Sequence, residues 1–263
     1  MLTGVILAGG HSRRMGRDKA VIPVAGEPLW QRQARTLRAA GATRVALVLR
    51  PGQSVPPDTD RLAVQVLRDD RVDSGPIAGL HSALASQPPS AWYLVLAVDL
   101  PHLRPDWFGW LSGFCDDGIG AIARHDSGFE PLAAIYPAAA GPIVAAHIES
   151  GENSLQSLAD HLVRTGKLRA VPLPARKRTQ LANWNTPADI DLARTFHSEN
   201  GSVSQPVFGD ATPSSRFLEA HATRASRLHA FLQLSGRDRS SVECCTCTCR
   251  LNMRLVRHHR SAY

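Results

Sequence analysis

Val5-Ile6-Leu7-Ala8-Gly9-Gly10-His11-Ser12-Arg13-Arg14-Met15-Gly16-Arg17-Asp18-Lys19 is the stretch on which the rest of the chain is organised. Its short apolar run, Val5 to Ala8, reads as a strand buried on both faces, as parallel strands are. The run passes straight into Gly9-Gly10, where the lack of a Cβ lets the backbone turn sharply and lets a ligand approach its N–H groups. Arg13, Arg14, Arg17 and Lys19 follow within the same loop. A strand that ends in a glycine-rich, cationic loop offers backbone donors and fixed positive charge together, which is the chemistry of a phosphate cradle. Two common cradles are excluded. Gly16 is followed by Arg17 rather than by Lys and then Ser or Thr, so the loop is not a Walker A motif, and the glycine spacing is not the dinucleotide G-x-G-x-x-G.

Outward from this loop, strand and helix signals alternate. A helix is predicted from about Leu29 to Ala40, with Leu29, Trp30, Ala34, Leu37 and Arg38 at helical spacing and Gly41 as its stop. Arg44 to Arg50 reads as the second strand, Pro51 to Pro57 as a loop and Ala63 to Leu67 as a short third strand. Pro76 at a first helical position opens a helix from Ile77 to Ser86. Trp92 to Val98 is the most strand-like segment, ended abruptly by Asp99-Leu100-Pro101. Further strands are expected at Ile119 to Ala123, Leu132 to Tyr136 and Leu168 to Leu173, and helices at Pro105 to Phe114, Gly141 to Glu149 and Leu155 to Arg164. A last helix, Ala188 to Phe196, has Thr186 as its cap and Pro187 at its first position. This alternation predicts an α/β fold: a doubly wound, mostly parallel sheet with helices on both faces. Ligands of such sheets bind beyond the carboxyl ends of the strands. Gly9 to Lys19, Asp69 and Asp99 all lie at such ends, so one crevice can hold them together.

The chain of 263 residues is 43% hydrophobic and 20% charged, which excludes global disorder. It lacks a run of eighteen apolar residues and a cationic n-region ahead of a secretory core, so no membrane segment and a cytoplasmic location are expected. The net charge of +7 is uneven: residues 1–196 hold 21 Lys and Arg against 18 Asp and Glu, and residues 197–263 hold 9 against 5. The basic balance is largely a property of the tail, and no folded stripe argues for nucleic acid. The boundary near residue 196 separates a 1–196 domain from a 197–263 extension rich in Ser, Gly, Arg and His, expected to be disordered, in which Arg216 to Leu234 could form one helix. Cys115 stands alone in the body, whereas Cys244, Cys245, Cys247 and Cys249 crowd the end. Ligand pairs of structural zinc sites are spaced by two to four residues and lie well apart, which this cluster does not match well.

The spacing Leu-Ala-Gly-Gly-x-Ser-x-Arg-Met-Gly-x-Asp-Lys resembles the signature of nucleotidyltransferases that join a nucleotide to a phosphorylated acceptor, and most of all the bacterial molybdenum cofactor guanylyltransferases. Three further segments carry the likeness in the same order: Gly75-Pro76-Ile77-Ala78-Gly79, Val98-Asp99-Leu100-Pro101 and Asn183-Trp184-Asn185-Thr186-Pro187. Together they span roughly residues 3 to 195. The resemblance implies a Rossmann-like nucleotidyltransferase fold and transfer of GMP from GTP to the terminal phosphate of the molybdenum–molybdopterin cofactor, with Mg²⁺ bound and pyrophosphate released. Molybdopterin-synthesis proteins and molybdoenzyme chaperones are implied as partners.

Residue by residue, the resemblance makes Asp99 the Mg²⁺ ligand. Mg²⁺ commonly takes one or two carboxylates with phosphate oxygens and water; the plain alternative for a lone strand-end Asp is a turn or cap. Arg14 and Lys19 would neutralise the triphosphate and the leaving pyrophosphate, since phosphoryl-type transfer runs on positioning and electrostatics. Arg13 and Arg17 read as solvated charge. Leu7, Ala8, Gly9 and Gly10 would face the base; in the resembling families Gly-Gly here goes with guanine and Ala-Gly with cytosine. Asp69, with Asp70 as a rival, matches the residue that helps hold the nucleotide. Asn183 and Asn185 would face the acceptor, as would Glu130-Pro131-Leu132. One departure is plain: the family usually carries an Asn near the end of the second strand, where this chain reads Leu47-Val48-Leu49-Arg50. The alternatives are a sister transferase using CTP or another phosphorylated acceptor, and a non-catalytic module that delivers the cofactor.

Overall fold

Six consecutive buried residues, Leu2–Leu7, form β1 at the centre of the sheet. The structure is a computed structural model, and it describes residues 1–10, 18–24, 26–69, 75–86 and 89–184. Arg13, Arg14, Arg17, Asp70, Asn185, the helix expected over 188–196 and the whole 197–263 extension lie outside the described residues.

After β1 the chain makes a small antiparallel ribbon of β2 (Pro23–Val24) and β3 (Glu27–Pro28), then helix α1 (Leu29–Ala39) and β4 (Arg44–Leu49). There follow β5 (Val64–Arg68), α2 (Pro76–Leu84), β6 (Trp92–Ala97), α3 (Pro105–Ser112), β7 (Gly120–His125), β8 (Gly128–Phe129) and β9 (Ala133–Pro137). Helices α4 (Gly141–Glu149) and α5 (Leu155–Arg164), then β10 (Leu168–Pro172), complete the order. The ends of the long strands and helices lie within about two residues of the sequence expectation. The β2–β3 ribbon, the short β8 and the 3₁₀ segment at Ala175–Leu181 were not foreseen.

Among the described residues the main sheet has eight strands in the order β10-β7-β9-β6-β1-β4-β5, with β8 on β7. β1 pairs in parallel with β4 and β6, β4 with β5, and β10 with β7. β9 runs against both β6 and β7, so it is the reversed strand in a sheet whose other long members share one direction.

The apolar runs are near-continuous because both faces of the sheet are covered. Leu2, Ile6, Leu47, Leu49, Leu94, Leu96, Ala121, Ala123 and Ile135 pack into one core with Trp30 and Leu37 of α1 and Trp107 and Leu111 of α3. Their neighbours Val5, Leu7, Val48, Tyr93, Val95, Ile122 and Tyr136 point the other way, onto Leu80 of α2, Val144 of α4 and Leu158 of α5. The period of two sends alternate side chains to opposite faces, and burying each large one is worth roughly 1.5–3 kcal/mol. Because β1, β4, β5 and β6 are parallel, their carboxyl ends share one edge of the sheet, and the residues that follow them meet there. No helix among the described residues is long and apolar enough to cross a membrane.

Candidate active site

Two charged side chains face each other across that edge. Lys19 Nζ donates to Asp99 Oδ2 at 3.2 Å, with the two side chains 17% and 27% exposed. Lys19 opens a short 3₁₀ turn, Lys19–Val21, capped by Asp18, whose Oδ1 accepts from the Ala20 N–H at 3.0 Å. Asp99 lies two residues past β6, on a turn held from several sides. Gln33, fully buried on α1, donates from Nε2 to the Leu100 carbonyl at 2.8 Å, with longer approaches to Val98 O (3.4 Å) and Ala97 O (3.5 Å). Arg32 Nε donates to Pro101 O at 2.9 Å. The Asp99 carbonyl itself accepts from the Trp184 N–H at 3.0 Å. Its carboxylate is thus presented on a fixed backbone.

The glycine pair begins beside this turn. The Leu7 carbonyl accepts from Val98 N (3.1 Å) and the Ala8 N–H donates to Val48 O (3.0 Å), which ties both to neighbouring strands. None of the hydrogen bonds among the described residues uses the N–H of Gly9 or Gly10, so these are the donors the loop offers to a ligand. A Cβ on Gly9 would sit 3.2 Å from the Arg50 backbone nitrogen, whereas one on Gly10 would meet nothing within 4 Å among the described residues. Gly9 is packed tightly against the chain just after β4, and Gly10 is not.

Asp69 follows β5 on the same edge, half-buried, with its N–H donating to Leu49 O at 2.9 Å. Gly75 then takes φ 68° and ψ −158°, a backbone state in which an L side chain is strained, and Pro76 starts α2. Four residues on, a Cβ at Gly79 would lie 3.2 Å from Leu7 Cδ2. The Gly-Pro-Ile-Ala-Gly segment therefore makes the sharp turn into α2 and lets that helix lie close on β1 and β4.

The segments expected to face an acceptor come from distant parts of the chain. Trp184 is buried, edge-on to His102 with ring centroids 5.8 Å apart, and Asn183 beside it is exposed. What delivers them is the 3₁₀ segment before them. Lys177, buried, donates to Asp106 Oδ2 at 2.6 Å and to Asp106 O at 3.1 Å, while Gln180 Oε1 accepts from Arg104 N at 3.1 Å. Burial alone would raise the Asp106 carboxyl; Lys177, Arg104 and Gln180 together outweigh it and hold the group below its ordinary value. On the other flank, Ala97 N donates to Leu132 O at 2.8 Å, setting Glu130-Pro131-Leu132 against the end of β6. Glu130 Oε1 is 2.8 Å from His125 Nε2, and Ser127 N–H donates to His125 Nδ1 at 3.2 Å, so the ring proton sits on Nε2 and donates to Glu130. Burial raises the Glu130 carboxyl, against the pull of His125.

Comparison with known proteins matches residues 4–167 to the MobA-like NTP transferase domain. A protein of Opitutus terrae named probable molybdenum cofactor guanylyltransferase is 46% identical over 199 residues, covering 75% of this chain and 96% of its own length. The molybdenum cofactor guanylyltransferase of Xanthomonas euvesicatoria is 30% identical over 193 residues, covering 70% and 90%. The chain belongs to the MobA-like NTP transferase family. It is a nucleotidyltransferase of molybdenum cofactor biosynthesis. In fold it resembles the molybdopterin-guanine dinucleotide biosynthesis protein A of Archaeoglobus fulgidus, with a TM-score of 0.60 at 23% identity, covering 75% of this chain and 99% of that one.

Within this MobA-like site, the structure brings Leu7 to Gly10, Lys19, Asp69 and Asp99 to one edge and links Asn183 to it through Trp184; Arg14 and Asn185 lie outside the described residues. At the departure on the second strand, both backbone groups of Arg50 are held inside the protein: its N–H donates to Gln53 Oε1 at 3.1 Å and its carbonyl accepts from Arg68 at 3.3 Å. The sequence reading missed Gln33, Gln53, Lys177 and Gln180. A signal existed for Gln33, a polar residue at the core-facing position between Leu29 and Leu37; Arg38, placed on that face by spacing, is exposed. Cys115 is buried, and burial pushes its thiol up to about 12, which leaves it unreactive.

Proposed function

We propose that this crevice transfers GMP from GTP to the terminal phosphate of the molybdenum–molybdopterin cofactor. The observation that carries the reading is the Lys19–Asp99 pair, 3.2 Å apart, beside the N–H groups of Gly9 and Gly10, which no other described residue takes up. A phosphate oxygen of the pterin forms a bond to the α-phosphorus of GTP as the bond from that phosphorus to the β-bridging oxygen breaks, and the electron pair leaves with pyrophosphate.

The chain's own groups divide this work. The glycine N–H groups donate to the nucleotide. Lys19, with Arg14 from the same loop, supplies positive charge to the triphosphate and to the pyrophosphate as it departs. Asp69 helps hold the nucleotide, and Asn183 with Asn185 binds the acceptor. Asp99 fits a Mg²⁺ ion: it is a partly exposed hard-oxygen donor on a fixed turn, and no cluster of three or more candidate ligands is found among the described residues. Such a donor set suits a metal that completes its shell with phosphate oxygens and water. Asp99 would hold the ion, which would supply positive charge to the phosphates beside that of Lys19.

Pyrophosphate release with Mg²⁺-GTP and the pterin acceptor tests the reading. GTP is expected to support turnover and CTP to support far less; release only with CTP, or none with either nucleotide, overturns it.

A further inference from the structure

Gln53 sits in the loop after β4 with only 4% of its surface exposed, and its amide is fully used. Oε1 accepts from the Arg50 N–H at 3.1 Å, and the two Nε2 protons go to the Ala8 carbonyl at 3.2 Å and to Asp18 Oδ2 at 2.6 Å. Ala8 is the last residue before the glycine pair. Asp18 immediately precedes Lys19 and caps its turn with the other carboxylate oxygen. One buried side chain therefore ties the entry and the exit of the glycine loop to the end of β4. Gln53 is anchored in turn, because its own carbonyl accepts from Arg68 Nη1 at 2.8 Å, next to Asp69.

The short bond to Asp18 is charge-assisted and stronger than a neutral amide contact. It aims the one carboxylate whose other oxygen starts the Lys19 turn. A shift of Asp18 moves the backbone of Lys19, and with it the distance from the ammonium to Asp99 and to any bound phosphate. A misplacement of about 1 Å far from the chemistry can cost roughly a hundredfold in rate.

We propose that Gln53 is a positioning residue of the nucleotide site, setting the span from Ala8 to Asp18 and, through Asp18, the place of Lys19. It acts in the corner where this chain lacks the second-strand Asn. The inference rests on the reading of Gly9 to Lys19 as the nucleotide's phosphate loop.

The test is steady-state kinetics of the full chain with Mg²⁺-GTP and the pterin acceptor, on wild type, Gln53→Glu, Gln53→Glu combined with Asp18→Asn, and Lys19→Ala. Gln53→Glu keeps the size of the side chain but removes both donors and sets a second carboxylate against Asp18. Its KM for GTP is expected to rise tenfold or more while the KM for the acceptor stays within twofold. In the double variant the new amide at position 18 donates to the new carboxylate at position 53, while the amide oxygen still caps Ala20, and most of the GTP affinity should return. A purely structural role predicts a smaller active fraction, seen as a lower apparent kcat with both KM values unchanged; that result, or a double variant no better than Gln53→Glu, overturns the inference. If Gln53→Glu does not fold, Gln53→Asn, one methylene too short to reach both partners, is read by the same split. Wild-type kinetics in Lys19→Ala would instead remove the loop reading itself, with the Gln53 variants showing which of the two has failed.

Discussion

Trp184 donates its backbone N–H to the carbonyl of Asp99 at 3.0 Å, so the segment read as acceptor-binding is bonded to the residue read as the metal ligand. The carboxylate of Asp99 points to Lys19 while its carbonyl holds Trp184. On the proposed reading the two halves of the reaction meet at one residue, with the side chain of Asp99 on the nucleotide side and its backbone carbonyl holding the segment that carries Asn183.

Replacing Asp99 with Asn should abolish turnover and leave the fold intact. The amide keeps the size of the side chain and the backbone bond to Trp184, but it removes the charge that faces Lys19. Losses on removing one preorganised electrostatic partner run to about 10²–10³ in kcat. Pyrophosphate release and a thermal melt on the same sample check both halves of the statement. Activity within tenfold of wild type would sink the metal assignment.

Gln33→Leu should cost both stability and rate. Its amide donates to Leu100 O at 2.8 Å in a fully buried setting, and the approaches to Ala97 O and Val98 O are long enough to count for little. Leucine fills much of the volume but removes the shorter of two donors to the Leu100 carbonyl, which keeps the Leu103 N–H at 3.2 Å, so the loss is that of one hydrogen bond, about 0.5–1.5 kcal/mol. Urea unfolding measures that term. A drop in kcat larger than the loss of folded protein would show that the Asp99 turn has moved.

Where the candidate site residues lie in the fold was largely legible before its geometry. The glycine loop, the strand-end Asp69 and Asp99 and the Gly-Pro-Ile-Ala-Gly turn are local signals: an apolar run, then a residue that only a turn or a ligand explains. The direction of β9 was not legible, because a buried run such as Ala133–Pro137 reads the same whichever way it pairs. The amide clamps were hidden for a different reason. Gln53 and Gln180 are polar residues in polar-looking segments, and burial arises only when distant backbone closes over them. Lys177, seven per cent exposed at its side chain, looks like a surface cation until Asp106 is folded against it.

Glu130→Gln should be at least as stable as wild type at neutral pH. Burial raises the Glu130 carboxyl, so its protonated form is favoured in the folded state. That contribution is complete below the ordinary carboxylate value, about 4.3, and is lost as pH rises through the raised one. The glutamine stays neutral and still accepts from His125 Nε2. The difference in melting temperature, variant minus wild type, should therefore grow as pH rises from about 4 to 7. A difference that shrinks over this range would mean that the charged pair with His125 outweighs burial.

The choice of nucleotide is tested most directly at the glycine pair. Gly10→Ala should keep the fold, since among the described residues its Cβ meets nothing within 4 Å, and should loosen the preference for GTP toward CTP. Gly9→Ala should instead cost stability, since its Cβ would press on the Arg50 nitrogen at 3.2 Å. Among the described residues a methyl at Gly10 crowds nothing, and on the proposed reading a two-ring base loses more by it than a pyrimidine does. A change of that size in a pocket is worth about 1–3 kcal/mol, or roughly 10–200-fold in discrimination. The measurement is kcat/KM for GTP and for CTP, on wild type and Gly10→Ala, with the same pterin acceptor. A wild type that already prefers CTP would replace guanylyl with cytidylyl transfer. An unchanged ratio in Gly10→Ala would move the base away from Gly10 and leave the choice to other walls of the crevice.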